Sequence, residues 1–113
     1  MVDRYKAGSI VVEGKEYHHD LKIFDHEVRQ NWWRKEGHSV DEEDMNDILS
    51  AKPETVVIGT GYAGQMRVSD SLRSILGKHT IRLIAEMTPE AVKTFNRLQS
   101  EGRRVASAFH LTC

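Results

Sequence analysis

Residues 54–59, Glu-Thr-Val-Val-Ile-Gly, constrain this chain more than any other stretch. A strand with one wet face alternates polar and apolar residues, whereas a short unbroken β-branched run belongs to a strand covered on both faces. Such a strand needs a layer on each side, and the sequence after it supplies them in turn. Leu72, Ile75 and Leu76 recur at i, i+3 and i+4, which predicts a short helix from near Ser69–Asp70 to just before Gly77. Residues 80–87 predict the next strand. Thr88 as an N-cap with Pro89 at the first helical position opens a helix over 89–101, striped by Ala91, Val92, Phe95 and Leu98 and ended by Gly102. The last strand is predicted at 103–112, with Val105, Ser107, Phe109 and Leu111 on one face. Strand, helix, strand, helix, strand in that order defines an α/β domain with a mixed or parallel sheet flanked by helices.

At 113 residues the chain is a single domain, large enough for one core without staples. Its first half adds β structure. Residues 9–13 and 15–19 flank Gly14 as a hairpin, Leu21–Phe24 continue as a strand, and 25–37 read as irregular. Ser39-x-x-Glu42 reads as a capping box, with acids at 41–44 in the first turn, and so predicts a helix over about 40–51 that Pro53 prevents from continuing.

The loop after residues 54–59 contains Gly59-x-Gly61-x-x-Gly64, the spacing that seats a dinucleotide pyrophosphate on a helix N-terminus. Here the next helix is capped only at Ser69 or Asp70, so phosphates would face loop instead of a helix end. Glu86, the nearest match to a ribose-binding acid, stands 25 residues past Gly61 against an expected ~20. The glycines are therefore read as a structural turn lining a cleft, ahead of a small-anion site and of a dinucleotide site, and no cofactor is expected.

Other chemistry is thin. Of six histidines, His18 and His19 are neighbours on a strand and point to opposite faces, and no His-x-x-x-His pair exists, so no metal site is expected. His110 and Cys113 could pair as base and nucleophile, but at i and i+3 on a strand they would face opposite ways, and no oxyanion donor is indicated. One cysteine permits no internal disulfide, in keeping with a reducing compartment, and the sequence shows neither a leader nor a membrane-length apolar run. A cytoplasmic protein without membrane attachment is expected. Residues 1–54 carry 8 basic against 13 acidic side chains and residues 55–113 carry 8 against 4, so the halves offset one another and no basic nucleic-acid face is expected. Trp32-Trp33-Arg34-Lys35 could stack a ligand, although one tryptophan packing at the core edge and one partly exposed is the plainer reading.

Three segments carry a family resemblance: WWRKEGH (32–38), KPETVVIGTG (52–61) and GRRVASAFHLTC (102–113), with Ile-Gly-Thr-Gly and the His-x-x-Cys ending specific in combination. Over nearly its full length the chain resembles a widespread small-domain family of undetermined biochemical function found in archaea and bacteria. Its eukaryotic relatives include a mitochondrial complex I assembly factor and an adipogenesis-associated cytoplasmic protein. The resemblance implies a three-layer α/β fold: a central mixed five-stranded sheet with one antiparallel strand, helices on both sides and extra β structure at one flank. It implies no established enzyme activity or cofactor. It also implies that Gly59, Thr60 and Gly61 form the family's turn and border a common cleft with Trp33 and Gly37. This sequence departs from the mitochondrial members in showing no targeting extension, so a role in respiratory-complex assembly is not expected of it.

With no nucleophile–base pair, metal set or acid pair assembled by the sequence, the leading expectation is a non-enzymatic binding or assembly module with a protein partner. The alternative is a small-ligand-binding protein or enzyme using a cleft beside residues 59–64, with Gly59, Thr60, Gly61, Trp33, Arg34, Arg67 and Asp70 as its ligand-binding residues.

Overall fold

The computed structural model describes all residues, 1–113. Its strands are β1 (Val2–Lys6), β2 (Ser9–Val12), β3 (Lys15–Tyr17), β4 (Leu21–Phe24), β5 (Glu27–Arg29), β6 (Ser39–Val40), β7 (Thr55–Gly59), β8 (Arg67–Val68), β9 (Arg82–Glu86) and β10 (Val105–Phe109). Its helices are α1 (Asn46–Ala51), α2 (Asp70–Lys78) and α3 (Thr88–Ser100), with a 3-10 turn at Glu42–Met45.

The central sheet has the order β5-β4-β10-β7-β9. β7 pairs parallel with both β9 and β10, β10 pairs antiparallel with β4, and β4 pairs antiparallel with β5. β4 alone therefore runs against the other four, and the mixed five-stranded sheet expected from the resemblance is the one observed. All five residues of β7 are buried, which is why that run contains no polar alternation.

The pleat of β7 and β10 sends alternate residues into two cores. Val56, Ile58, Ala106 and Ala108 pack with Ile48 of α1, Leu72 and Leu76 of α2, Met45 and Trp32. Val57 and Phe109 pack on the other face with Ala91, Phe95 and Leu98 of α3 and with Val2, Ile10 and Val12 of the small sheet. Phe95 and Phe109 meet edge to face, 5.9 Å between centroids. The three layers are thus α1 and α2, the central sheet, then α3 with the antiparallel sheet β1-β2-β3.

Several element boundaries differ from the sequence reading. The hairpin around Gly14 is joined by β1, whose residues Asp3, Arg4 and Lys6 are exposed and gave no apolar signal. β5 falls inside the stretch read as irregular, because its turn is Asp25–His26 with φ of 51° and 61° and no glycine to mark it. Ser39 starts no helix: it lies in β6, which pairs parallel with β8. The carboxylate that closes the first turn is Asp44, whose Oδ2 accepts from the Asp41 amide at 2.8 Å, and the α-helix proper begins only at Asn46. α2 also runs through Gly77 to Lys78.

Candidate functional site

In an open α/β sheet, ligands bind beyond the carboxyl ends of the strands, where neighbouring strands send their connections to opposite faces. That place lies between β7, which leads to α2, and β9, which leads to α3. The protein fills it with itself. Thr60 donates its amide to Glu86 O at 2.8 Å, Gly61 donates to Thr88 Oγ1 at 2.9 Å, and Thr88 donates its amide to Gly61 O at 2.9 Å. Tyr62 donates to Thr112 O, Gln65 to Cys113 O and Met66 to Thr60 O. These loop amides are held by protein oxygens, and α2 begins at Asp70 with Ser69 Oγ accepting from Leu72, so no helix end faces the loop.

Thr88, read above as a cap, is a buried cross-brace instead. Its hydroxyl accepts from Gly61 and donates to His110 O at 2.7 Å, tying β7, α3 and the end of β10 together. Thr88→Val keeps the shape but removes both bonds, leaving a buried amide and carbonyl unpartnered. A loss of about 1–3 kcal/mol in urea-induced unfolding is expected.

The polar groups collect one strand further along. Asp20, just before β4, receives three donors: Arg34 Nη1 at 2.8 Å, His110 Nδ1 at 2.7 Å and the Leu111 amide at 2.8 Å. Burial pushes its carboxyl up, but the bonds from His110, Leu111 and Arg34 and the charge of His110 outweigh burial and hold it below the ordinary aspartate value. A carboxylate can only accept, so Nδ1 of His110 carries the proton toward Asp20, and in the neutral ring the lone pair is on Nε2. Nε2 is buried and has no hydrogen-bond partner. The Arg34 guanidinium, stacked 4.6 Å over the Trp32 ring, also donates to Gly37 O. Tyr5 roofs this region, donating to Leu111 O at 2.6 Å, and burial together with the negative charge of Tyr62 and Asp20 pushes its hydroxyl up to about 12.

The chain turns sharply after β10, so the expectation that His110 and Cys113 face apart does not hold. β10 ends at Phe109, and Cys113 has φ of 47°. His38, His110 and Cys113 each offer a ligand atom, and those atoms all lie within 4.8 Å of one another. Sequence reasoning missed this set because its successive members lie 72 and 3 residues apart and no strand period relates them.

The seven residues expected to share one cleft are dispersed. Trp33 and Arg34 border a cleft of about 260 Å³ with His18, His19, Asp20 and Leu111. Arg67 and Asp70 border another with His38 and Ser69. Gly59, Thr60 and Gly61 line neither. A Cβ on Gly59 would lie 2.7 Å from Thr88 Oγ1 and 2.9 Å from Phe109 Cδ1, so that glycine serves close packing. Of the tryptophan pair, Trp32 is core, its indole donating to Asp44 O at 3.1 Å, while Trp33 is 79% exposed and tilts against His19.

A three-layer α/β domain of this size is shared with known proteins. Residues 2–110 match the family described as "Protein of unknown function (DUF498/DUF598)", and the chain belongs to it. A conserved hypothetical protein of Pyrococcus horikoshii has a similar structure, with a TM-score of 0.88 at 21% identity over 100% of this chain and 99% of that one. A protein of Bartonella henselae described as an outer membrane protein is 25% identical with a TM-score of 0.85, covering 99% of this chain and 94% of that one. A Bordetella pertussis protein described as an Mth938-like domain has a TM-score of 0.65 at 20% identity, covering 98% and 85%. No helix of the present chain is long and apolar enough to cross a membrane.

Proposed function

We propose that this protein is a non-enzymatic binding module of the cytoplasm that recognises a partner protein through the face carrying Trp33. The single observation behind this reading is Trp33 itself. A large aromatic 79% exposed beside a cleft that holds a buried arginine is the residue pairing that dominates binding energy at protein interfaces. The cleft's volume of about 260 Å³ falls below the range of ~300–1,000 Å³ that encloses a drug-sized ligand, which favours a protein surface over a small molecule. Arg34 is anchored by Asp20 and Gly37, so the cleft wall is preformed and little ordering opposes association. A free thiol at Cys113 suits a reducing interior.

Trp33→Ala should leave stability within about 0.5 kcal/mol, since an exposed side chain is removed. It should weaken partner recovery by about 30-fold, the equivalent of a 2 kcal/mol anchor. Quantitative co-purification of tagged wild-type and variant protein from the native cell measures this. Equal recovery by both forms, or a purified monomer that turns over a substrate, would remove the proposal.

A further inference from the structure

We propose that His38, His110 and Cys113 form a three-ligand site for a divalent transition metal of the zinc class, a site that adjoins the Trp33 cleft through Asp20 but takes no ligand from its lining. Three observations carry it. First, the three ligand atoms lie within 4.8 Å of one another. Ligands around a tetrahedral zinc at ~2.0–2.3 Å sit roughly 3.3–3.8 Å apart, so closing the set requires shifts of about 1 Å or less. His38 and Cys113 are exposed and lie outside the central sheet, where such shifts are small rotations.

Second, His110 is prepared as a ligand. Its Nδ1 is committed to Asp20 at 2.7 Å, which fixes the ring and leaves Nε2 as the lone-pair nitrogen. The residue is 94% buried (6% exposed), and Nε2 has no hydrogen-bond partner. A buried unpaired nitrogen costs free energy unless something accepts its lone pair. The carboxylate–imidazole pair is the arrangement that orients metal-bound histidines and raises their basicity. Asp20 also neutralises Arg34 at 2.8 Å, so the guanidinium near the ring does not leave a net positive charge against a cation.

Third, the donor set is selective. Two imidazoles and one thiolate suit zinc, copper or cobalt and disfavour magnesium or calcium, which take oxygen. With three protein ligands the fourth position is open to water or a partner's side chain. The same residues read as a cysteine nucleophile with a His110–Asp20 relay are less well supported. An acyl-transfer site needs amides aimed at an oxyanion, and those of residues 60, 61, 62, 64, 65 and 66 all donate within the protein.

Cobalt(II) titration of the full-length protein, stripped with chelator and kept reduced, tests the site. The expected result is saturation at one equivalent, with a thiolate-to-cobalt charge-transfer band in the near ultraviolet and intense visible bands of a tetrahedral centre. Zinc should bleach both. Cys113→Ser should lose the charge-transfer band and His38→Ala the one-to-one saturation, and both replace exposed side chains, so folding is retained. Asp20→Asn, which keeps an acceptor for His110 but removes the charge paired with Arg34, should weaken cobalt binding about 10–100-fold without removing the thiolate band at saturating metal. A wild-type protein without the band, or one whose cobalt affinity equals that of Cys113→Ser, would overturn the assignment. Cys113→Ser and His38→Ala change no residue lining the Trp33 cleft and should leave partner recovery untouched, so the two proposals fail separately.

Discussion

Asp20→Ala is expected to destabilise the protein by about 3 kcal/mol at neutral pH. Removing one partner of a buried ion pair costs about 3–5 kcal/mol, and the low end applies because the Asp20 side chain keeps 16% exposure. What makes the change costly is what stays behind. Arg34, 5% exposed, loses its only carboxylate, the Nδ1–H of His110 loses its acceptor, and so does the Leu111 amide. Three donors from sequence positions 34, 110 and 111 then face a void. The pH dependence has a definite sign. Asp20 titrates below its ordinary value near 3.8 when folded, so the unfolded chain binds the proton more readily. Its contribution is therefore complete above about pH 4 to 5 and is lost as pH falls through the folded value. Urea unfolding of wild type and Asp20→Ala at pH 7 should differ by the full amount, and the two should converge below pH 4. A constant gap down to pH 2, or none at pH 7, would show that the carboxylate is not the keystone described here.

That keystone was invisible in the sequence, and the reason is physical. Periodicity reports which face of an element is buried, so the strand at 54–59, the stripe of α3 and the alternation of β10 were all legible. It cannot report which loops converge, and Asp20 meets His110 across 90 residues only because β4 inserts antiparallel beside β10. Local rules also failed where a residue had a longer-range use. Thr88 has the right neighbour, Pro89, to be an N-cap, but its hydroxyl is taken by Gly61 and His110. Ser39 has an acid three residues on, but its backbone pairs with Arg67. β1 was missed because a sheet edge with an exposed face buries only Val2 fully. The glycine pattern was legible as a turn through its missing helix start. What the sequence did not disclose is the object that the turn embraces, which is the segment following β10.

Gly61→Val tests that embrace directly, and the expected result is a protein destabilised by about 3 kcal/mol or more, with its melting temperature lowered by roughly 10 °C. Two independent penalties add. Gly61 has φ of +115°, outside the range that a β-branched residue adopts, and such strain costs about 1–3 kcal/mol. A Cβ there would also lie 2.6 Å from Thr112 O and 2.7 Å from Cys113 C. Those are backbone atoms and cannot rotate away, so Thr112 and Cys113 must move. Their movement breaks the bonds from Tyr62 and Gln65, and it carries Cys113 away from His38 and His110. Gly77→Ala in α2 is the control, because a Cβ there meets nothing within 4 Å and alanine favours the helix by up to about 1 kcal/mol. If Gly61→Val melts with the wild type, the glycine is a tolerant turn and the closing segment is not held against it. If only Gly61→Val falls while Gly77→Ala holds or rises, the dinucleotide-like spacing is explained by chain packing: the second glycine sits where a pyrophosphate would approach because Thr112 and Cys113 approach there instead.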